Sequence, residues 1–106
     1  MTKLDLIFEA LANEHRRKII YSVGLQPYSL TQLADMQSLS LPALYKHIKV
    51  LENAKMISIK KMGRVKYIAL KSESLKLLQD WLSQYHTYWG ANNSTFKNYK
   101  RFLNGK

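Results

Sequence analysis

No cysteine occurs anywhere in these 106 residues. That one absence removes disulfides, thiolate metal ligands and thiol redox sensing together. The four glycines form no phosphate-cradling loop, there is no nucleophile-elbow pattern, and no close pair of carboxylates suggests acid–base catalysis. An enzyme is therefore not expected, nor is any cofactor. No run approaches the roughly 20 apolar residues that cross a bilayer, and the N-terminus lacks the charged-then-apolar plan of a signal peptide. A cytoplasmic protein without membrane contact is the expectation. What is present is an ordinary 46% of hydrophobic residues, enough for one domain with a modest core.

Acidic residues are also scarce, and their distribution matters more than their number. The formal charge is +10, from 17 basic and 7 acidic side chains. Residues 1–45 are balanced. Residues 46–71 carry eight cations (Lys46, Lys49, Lys55, Lys60, Lys61, Arg64, Lys66, Lys71) against Glu52 alone, net +7. Charge concentrated in one quarter of the chain is the footprint of a polyanion partner. It does not lie along one long amphipathic helix, so a membrane surface fits it less well.

The first half of the chain reads as a run of helices. Leu4, Ile7, Phe8 and Leu11 recur at helical spacing, predicting a helix over 3–12. Asn13 either ends it or caps a second, 14–23, whose Glu14 suits the helix dipole and whose core face is Ile19, Ile20 and Val23. Arg16, Arg17 and Lys18 read as a solvated face, one of which could reach a phosphate. Residues 24–28 hold glycine and proline and read as a turn. Ser29 or Thr31 caps a short helix over 30–37, with Leu33 and Ala34 inward, and residues 37–40 form a polar turn.

The fourth helix, 41–54, opens on a Ser40 cap with Pro42 in its first turn. Leu41, Leu44, Ile48 and Leu51 share one face. Pro42, Lys46, Lys49 and Asn53 occupy the other, with Tyr45 at its edge. Two short helices joined by a four-residue turn form a helix-turn-helix, whose second helix enters the DNA major groove. Residues 57–70 then switch to β-branched, partly alternating sequence about Met62-Gly63-Arg64, a hairpin with Lys60, Lys61, Arg64 and Lys66 near its tip. Such a hairpin is a wing that straddles a phosphate backbone or probes the minor groove. The candidate double-stranded DNA contacts are thus Ser40, Leu41, Pro42, Tyr45, Lys46, Lys49, Lys60, Lys61, Arg64 and Lys66.

Ser72 is expected to cap a last helix over 72–89. From Leu75 through Leu78, Leu82, Tyr85, Trp89, Asn92, Phe96, Tyr99 and Leu103 the spacing alternates three and four, so residues 90–106 read as an extension continuing that helix past Gly90. Seven of the twelve aromatics fall within 81–102, too many for the terminal helix of a small monomer. A homodimer interface is therefore expected from Leu4, Ile7, Leu11, Leu78, Leu82, Tyr85, Trp89 and Phe96. Residues 1–89 read as one DNA-binding domain, mainly α with a small β-hairpin: a winged helix-turn-helix.

Four stretches resemble the ArsR/SmtB family of winged-helix transcriptional repressors over roughly residues 5–89. They are residues 8–20 (Phe-Glu-Ala-Leu-Ala-Asn-Glu-His-Arg-Arg-Lys-Ile-Ile), Leu30-Thr31-Gln32-Leu33-Ala34, residues 40–51 (Ser-Leu-Pro-Ala-Leu-Tyr-Lys-His-Ile-Lys-Val-Leu), and Ala54-Lys55-Met56-Ile57 followed by Gly63-Arg64. The resemblance implies a homodimer that binds an inverted-repeat operator and represses until released.

The family's metal sensors use thiolates, or an Asp-x-His with later ligands on the last helix. Here Asp80 is followed by Leu82 in the histidine's place, and His15, His47 and His86 lie on three separate elements. His47 matches a family position and is read as packing or touching phosphate. No metal is expected; release would be by a non-metal effector, by a partner protein, or only through changes in the protein's own abundance. A winged helix used for RNA or protein contacts, or an activator, remains the alternative.

Overall fold

The structure is a computed structural model that describes residues 1–85 and 93–105, with residues 93–96 described for their helical backbone only. The expectations for His86, Trp89, the Phe96 side chain and passage through Gly90 lie outside the described residues. The chain divides into two units, Met1–Lys76 and Leu77–Lys106.

The first unit holds α1 (Lys3–Leu11), α2 (Glu14–Leu25), β1 (Tyr28–Ser29), α3 (Leu30–Gln37), α4 (Leu41–Asn53), β2 (Ile57–Met62), β3 (Val65–Leu70) and the start of α5 (Ser72–Ser83). Each of the first four helices opens on a side-chain cap. Thr2 and Asp5 exchange bonds in a capping box, as do Ser29 and Gln32; Asn13 accepts from the Arg16 N–H and Ser40 from the Ala43 N–H. Ser38 closes α3 in the left-handed conformation, and the Leu39 N–H returns to the Ala34 carbonyl at 2.9 Å.

Helix α2 runs two residues past the expected boundary, taking in Gly24 and Leu25. Glycine weakens a helix by about 1 kcal/mol without breaking it. The stop is Gln26, which precedes Pro27 and is held extended (φ −169°, ψ 159°), as the proline ring demands of its neighbour. The other difference is β1. Residues 28–29, expected within a turn and a cap, pair with β3 (Tyr28 with Ile68, Ser29 with Tyr67) and make a three-stranded antiparallel sheet ordered β1-β3-β2.

The core of this unit draws on the first four helices and the two longer strands: Ile7 and Ala10, Ile19 and Val23, Leu33 and Ala34, Leu44, Ile48 and Leu51, then Met56, Ile57 and Ile68. Ile7 is only 1% exposed, which corrects its expected place in a dimer interface: the protomer's own core uses it. Leu4 and Leu11 remain half-buried. Ser72 is the first residue of α5 rather than its cap. Two residues on, the buried Ser74 hydroxyl lies 2.7 Å from the Ala54 carbonyl and 2.9 Å from that of Lys55, tying α5 to the end of α4.

In the second unit, α5 ends at Ser83, six residues short of the expected 89. Its last carbonyls are taken by side chains. The Ser83 hydroxyl donates to Asp80 at 2.7 Å, the Gln84 amide to Trp81 at 2.9 Å, and the Tyr85 N–H tightens back onto Leu82. The rings of Trp81 and Tyr85 meet edge to face, centroids 5.4 Å apart. Leu78 is half-buried, while Leu82 and Tyr85 are nearly half exposed. A sixth helix, α6 (Asn93–Leu103), follows, with Lys97, Lys100 and Arg101 among exposed Tyr99, Phe102 and Leu103.

Candidate nucleic-acid interface

Helix α4 separates its two jobs by face. Leu44, Ile48 and Leu51 are essentially inaccessible and fix the helix to the core. Pro42, Tyr45, Lys46, Lys49 and Asn53 are exposed on the opposite side. The Ser40 hydroxyl is committed to the Ala43 N–H at 3.3 Å, so its first role is to start the helix. Leu41 departs from the expected pattern: it is 44% exposed and belongs to the front. At the first position of the helix it lies beyond the turn that Leu44 packs beneath.

The hairpin closes through two residues, Gly63 and Arg64, with Met62 paired to Val65. Gly63 has φ +66° and Arg64 a negative φ, the arrangement of a type II′ turn with glycine at its first central position. Register then places Lys61 directly opposite Lys66. Like charges facing across a strand pair are destabilising, and among the described residues no acid pairs with either. An anion there would relieve the repulsion. Lys60 pairs with Tyr67 and, by strand alternation, points to the other face of the hairpin.

Hairpin and α4 together bound a cleft of about 330 Å³. Of the expected residues it gathers Leu41, Tyr45, Lys61, Arg64 and Lys66; Ser40, Pro42, Lys46, Lys49 and Lys60 lie outside it. Sequence reasoning missed Val65 of β3, and Ser29 with the start of α3 (Leu30 and Thr31), which also line it. Ser29, Leu30 and Thr31 arrive because β1 pairs with β3, and a two-residue strand has no periodicity to read.

Behind α4 lies a polar network that the sequence also concealed. The Arg16 guanidinium donates to the carbonyls of Ala10 (2.7 Å) and Glu9 (3.3 Å), and Arg17 donates to Leu11 (2.8 Å). These arginines, expected as a solvated face, satisfy the open carbonyls that end α1. Arg16 also reaches His47 Nδ1 at 3.2 Å. A guanidinium only donates, so that nitrogen accepts and the neutral ring carries its proton on Nε2. Burial, then the Arg16 charge and His15, hold the His47 pKa below its ordinary value. The His15 ring lies against that of His47, centroids 5.5 Å apart and planes tilted by 34°, and contacts Gln37 Oε1 through Nδ1 at 2.9 Å. Two histidines from separate elements thus do meet, but among the described residues no group of three metal-ligating side chains assembles.

Comparison with known proteins gives a consistent set. Residues 13–58 match the family described as bacterial regulatory protein, arsR family. The HTH-type transcriptional regulator YuzN of Bacillus subtilis (strain 168) is 35% identical over 86 residues, 74% of this chain and 94% of that one. The crystal structure of an ArsR family transcriptional regulator, RHA00566, superposes with a TM-score of 0.74 at 31% identity, covering 85% of this chain and 93% of that one. A possible ArsR-family regulator from Mycobacterium bovis, Mb0332, shares the fold at 15% identity with a TM-score of 0.66, covering 85% and 86%; its winged helix-turn-helix DNA-binding domain is described as homodimeric.

Proposed function

The chain belongs to the ArsR family of winged helix-turn-helix transcriptional regulators, and from that premise we propose that it is a homodimeric repressor acting on an inverted-repeat operator. The family consists of DNA-binding regulators rather than enzymes, and no helix among the described residues is long and apolar enough to cross a membrane. The observation that carries the proposal is the division of α4: a back face locked in the core, and a front face without acid in line with an acid-free cationic hairpin.

In this reading α4 lies in the major groove, where Leu41, Pro42, Tyr45, Lys46 and Lys49 meet base edges and phosphates, with Ser40 holding the helix start toward the backbone. Lys60, Lys61, Arg64 and Lys66 grip the flanking strands. Two protomers place their α4 helices about 34 Å apart, or a multiple of it, to read successive turns. Exposed Leu82 and Tyr85, with half-buried Leu4, Leu11 and Leu78, supply apolar surface for that pairing. The expected contributions of Trp89 and Phe96 belong to the same proposal, and residues 1–89 would then form the working domain. The homodimeric Mycobacterium bovis neighbour supports this assembly. Release from DNA would come from a non-metal effector or a partner protein.

Fluorescence anisotropy with DNA from upstream of the protein's own gene, against RNA of equal length, tests the reading. DNA affinity is expected to fall by roughly 0.9 log units per neutralised phosphate for each tenfold rise in salt. Equal binding of RNA, or affinity indifferent to salt, would remove it. Transcription in vitro from the same fragment separates repression from activation.

A further inference from the structure

The front of α4 is uneven in what it offers to bases. Guanine is read most often by arginine or lysine and adenine by asparagine or glutamine, through paired hydrogen bonds. From Leu41 to Lys49 the only residues of these types are Lys46 and Lys49, and both lie outside the cleft, so the cleft side of the helix has none of them. It exposes instead a large aliphatic side chain, Leu41 (44%), beside Tyr45 (38%). Two exposed apolar side chains on the wall of one cleft are a cost unless something apolar covers them. The major-groove edge of B-DNA presents one apolar group, the C5-methyl of thymine. That methyl projects beside the backbone of its own strand, so a site for it needs cations close by. Lys61, Arg64 and Lys66 line the same cleft.

We propose that the cleft between α4 and the hairpin is a thymine reader. Leu41 and Tyr45 take the C5-methyl, while Lys61, Arg64 and Lys66 hold the adjoining phosphate. This rests on α4 lying in the major groove, and it adds a base identity that charge alone does not supply. It also separates DNA from RNA, since uracil lacks the methyl.

The test begins with a duplex selected by the full chain from a random double-stranded library, then remade with dU at each dT in turn. One dU per half-site is expected to weaken binding roughly fourfold, the value of burying a single methyl-sized group. Every other dT should be replaceable without effect. Leu41→Ala is expected to bind dT and dU duplexes equally at that position, whereas Leu41→Met keeps the preference. Circular dichroism of both variants checks that the helices persist. A duplex bound tightly and with steep salt dependence, yet indifferent to dU throughout, would overturn the thymine reader and leave the interface standing. So would a Leu41→Ala variant that still prefers dT. Failure to select any duplex would overturn both.

Discussion

His47 sits on α4 with its ring turned from the candidate DNA face toward Arg16, and its charge state bears on how that helix is held. Burial and the neighbouring Arg16 and His15 lower its pKa from the usual 6.5. A depressed histidine contributes stability that is fully present above the unfolded value and drains away as pH falls below about 6.5. Protonation would place a cation against the Arg16 guanidinium and end its acceptance of the 3.2 Å bond. Urea denaturation of the wild type is therefore expected to show lower stability at pH 5 than at pH 7.5. A smaller loss is expected in His47→Gln, whose side-chain carbonyl still accepts from Arg16 but does not titrate. Equal losses in the two proteins would show that His47 is not the group responsible. The same cluster marks where single-residue reading stopped. Side chains such as Arg16 and Arg17 look solvated in sequence, because the carbonyls they satisfy belong to the end of a different helix.

Elements whose two faces differ in chemistry were legible from the sequence. The cap at Ser40, the back of α4 at Leu44, Ile48 and Leu51, and the hairpin about Gly63 all rest on local rules that the surroundings did not override. The division of α4 predicts two opposite phenotypes. Lys46→Ala and Lys49→Ala should each leave the free energy of unfolding within about 0.5 kcal/mol of wild type, as exposed substitutions do, while weakening DNA binding. Ile48→Ala, one residue before Lys49, should cost roughly 2–5 kcal/mol through lost burial and the cavity left behind. Thermal denaturation and anisotropy on the same preparations check both. Boundaries were less legible where side chains outside the periodic pattern decided them. Pro27 fixed the end of α2 through its neighbour, and Ser83 and Gln84 closed α5 inside an unbroken apolar seam.

At the scale of the whole molecule the proposal needs two copies. Light scattering at micromolar concentration is expected to give twice the 12.4 kDa chain mass. Leu82→Lys, which puts a charge on a residue already 48% exposed in the single chain, should shift the protein toward monomer without unfolding it. It should also lower operator affinity, since one half-site alone forfeits the second set of contacts. A monomeric wild type, or a Leu82→Lys variant that remains dimeric, would remove this apolar surface from the assembly.

Charge distribution, helical periodicity and capping residues are properties of neighbours along the chain, and through them the sequence by itself determined the winged helix-turn-helix, its basic quarter and the helix that faces outward. Tertiary structure alone decided which side chains share a place. It took Ile7 into the core, turned Leu41 outward, set Lys61 against Lys66, and brought the start of α3 to the hairpin through two residues of β1. Those meetings depend on strand register and on packing between segments up to about forty residues apart, which no local pattern encodes.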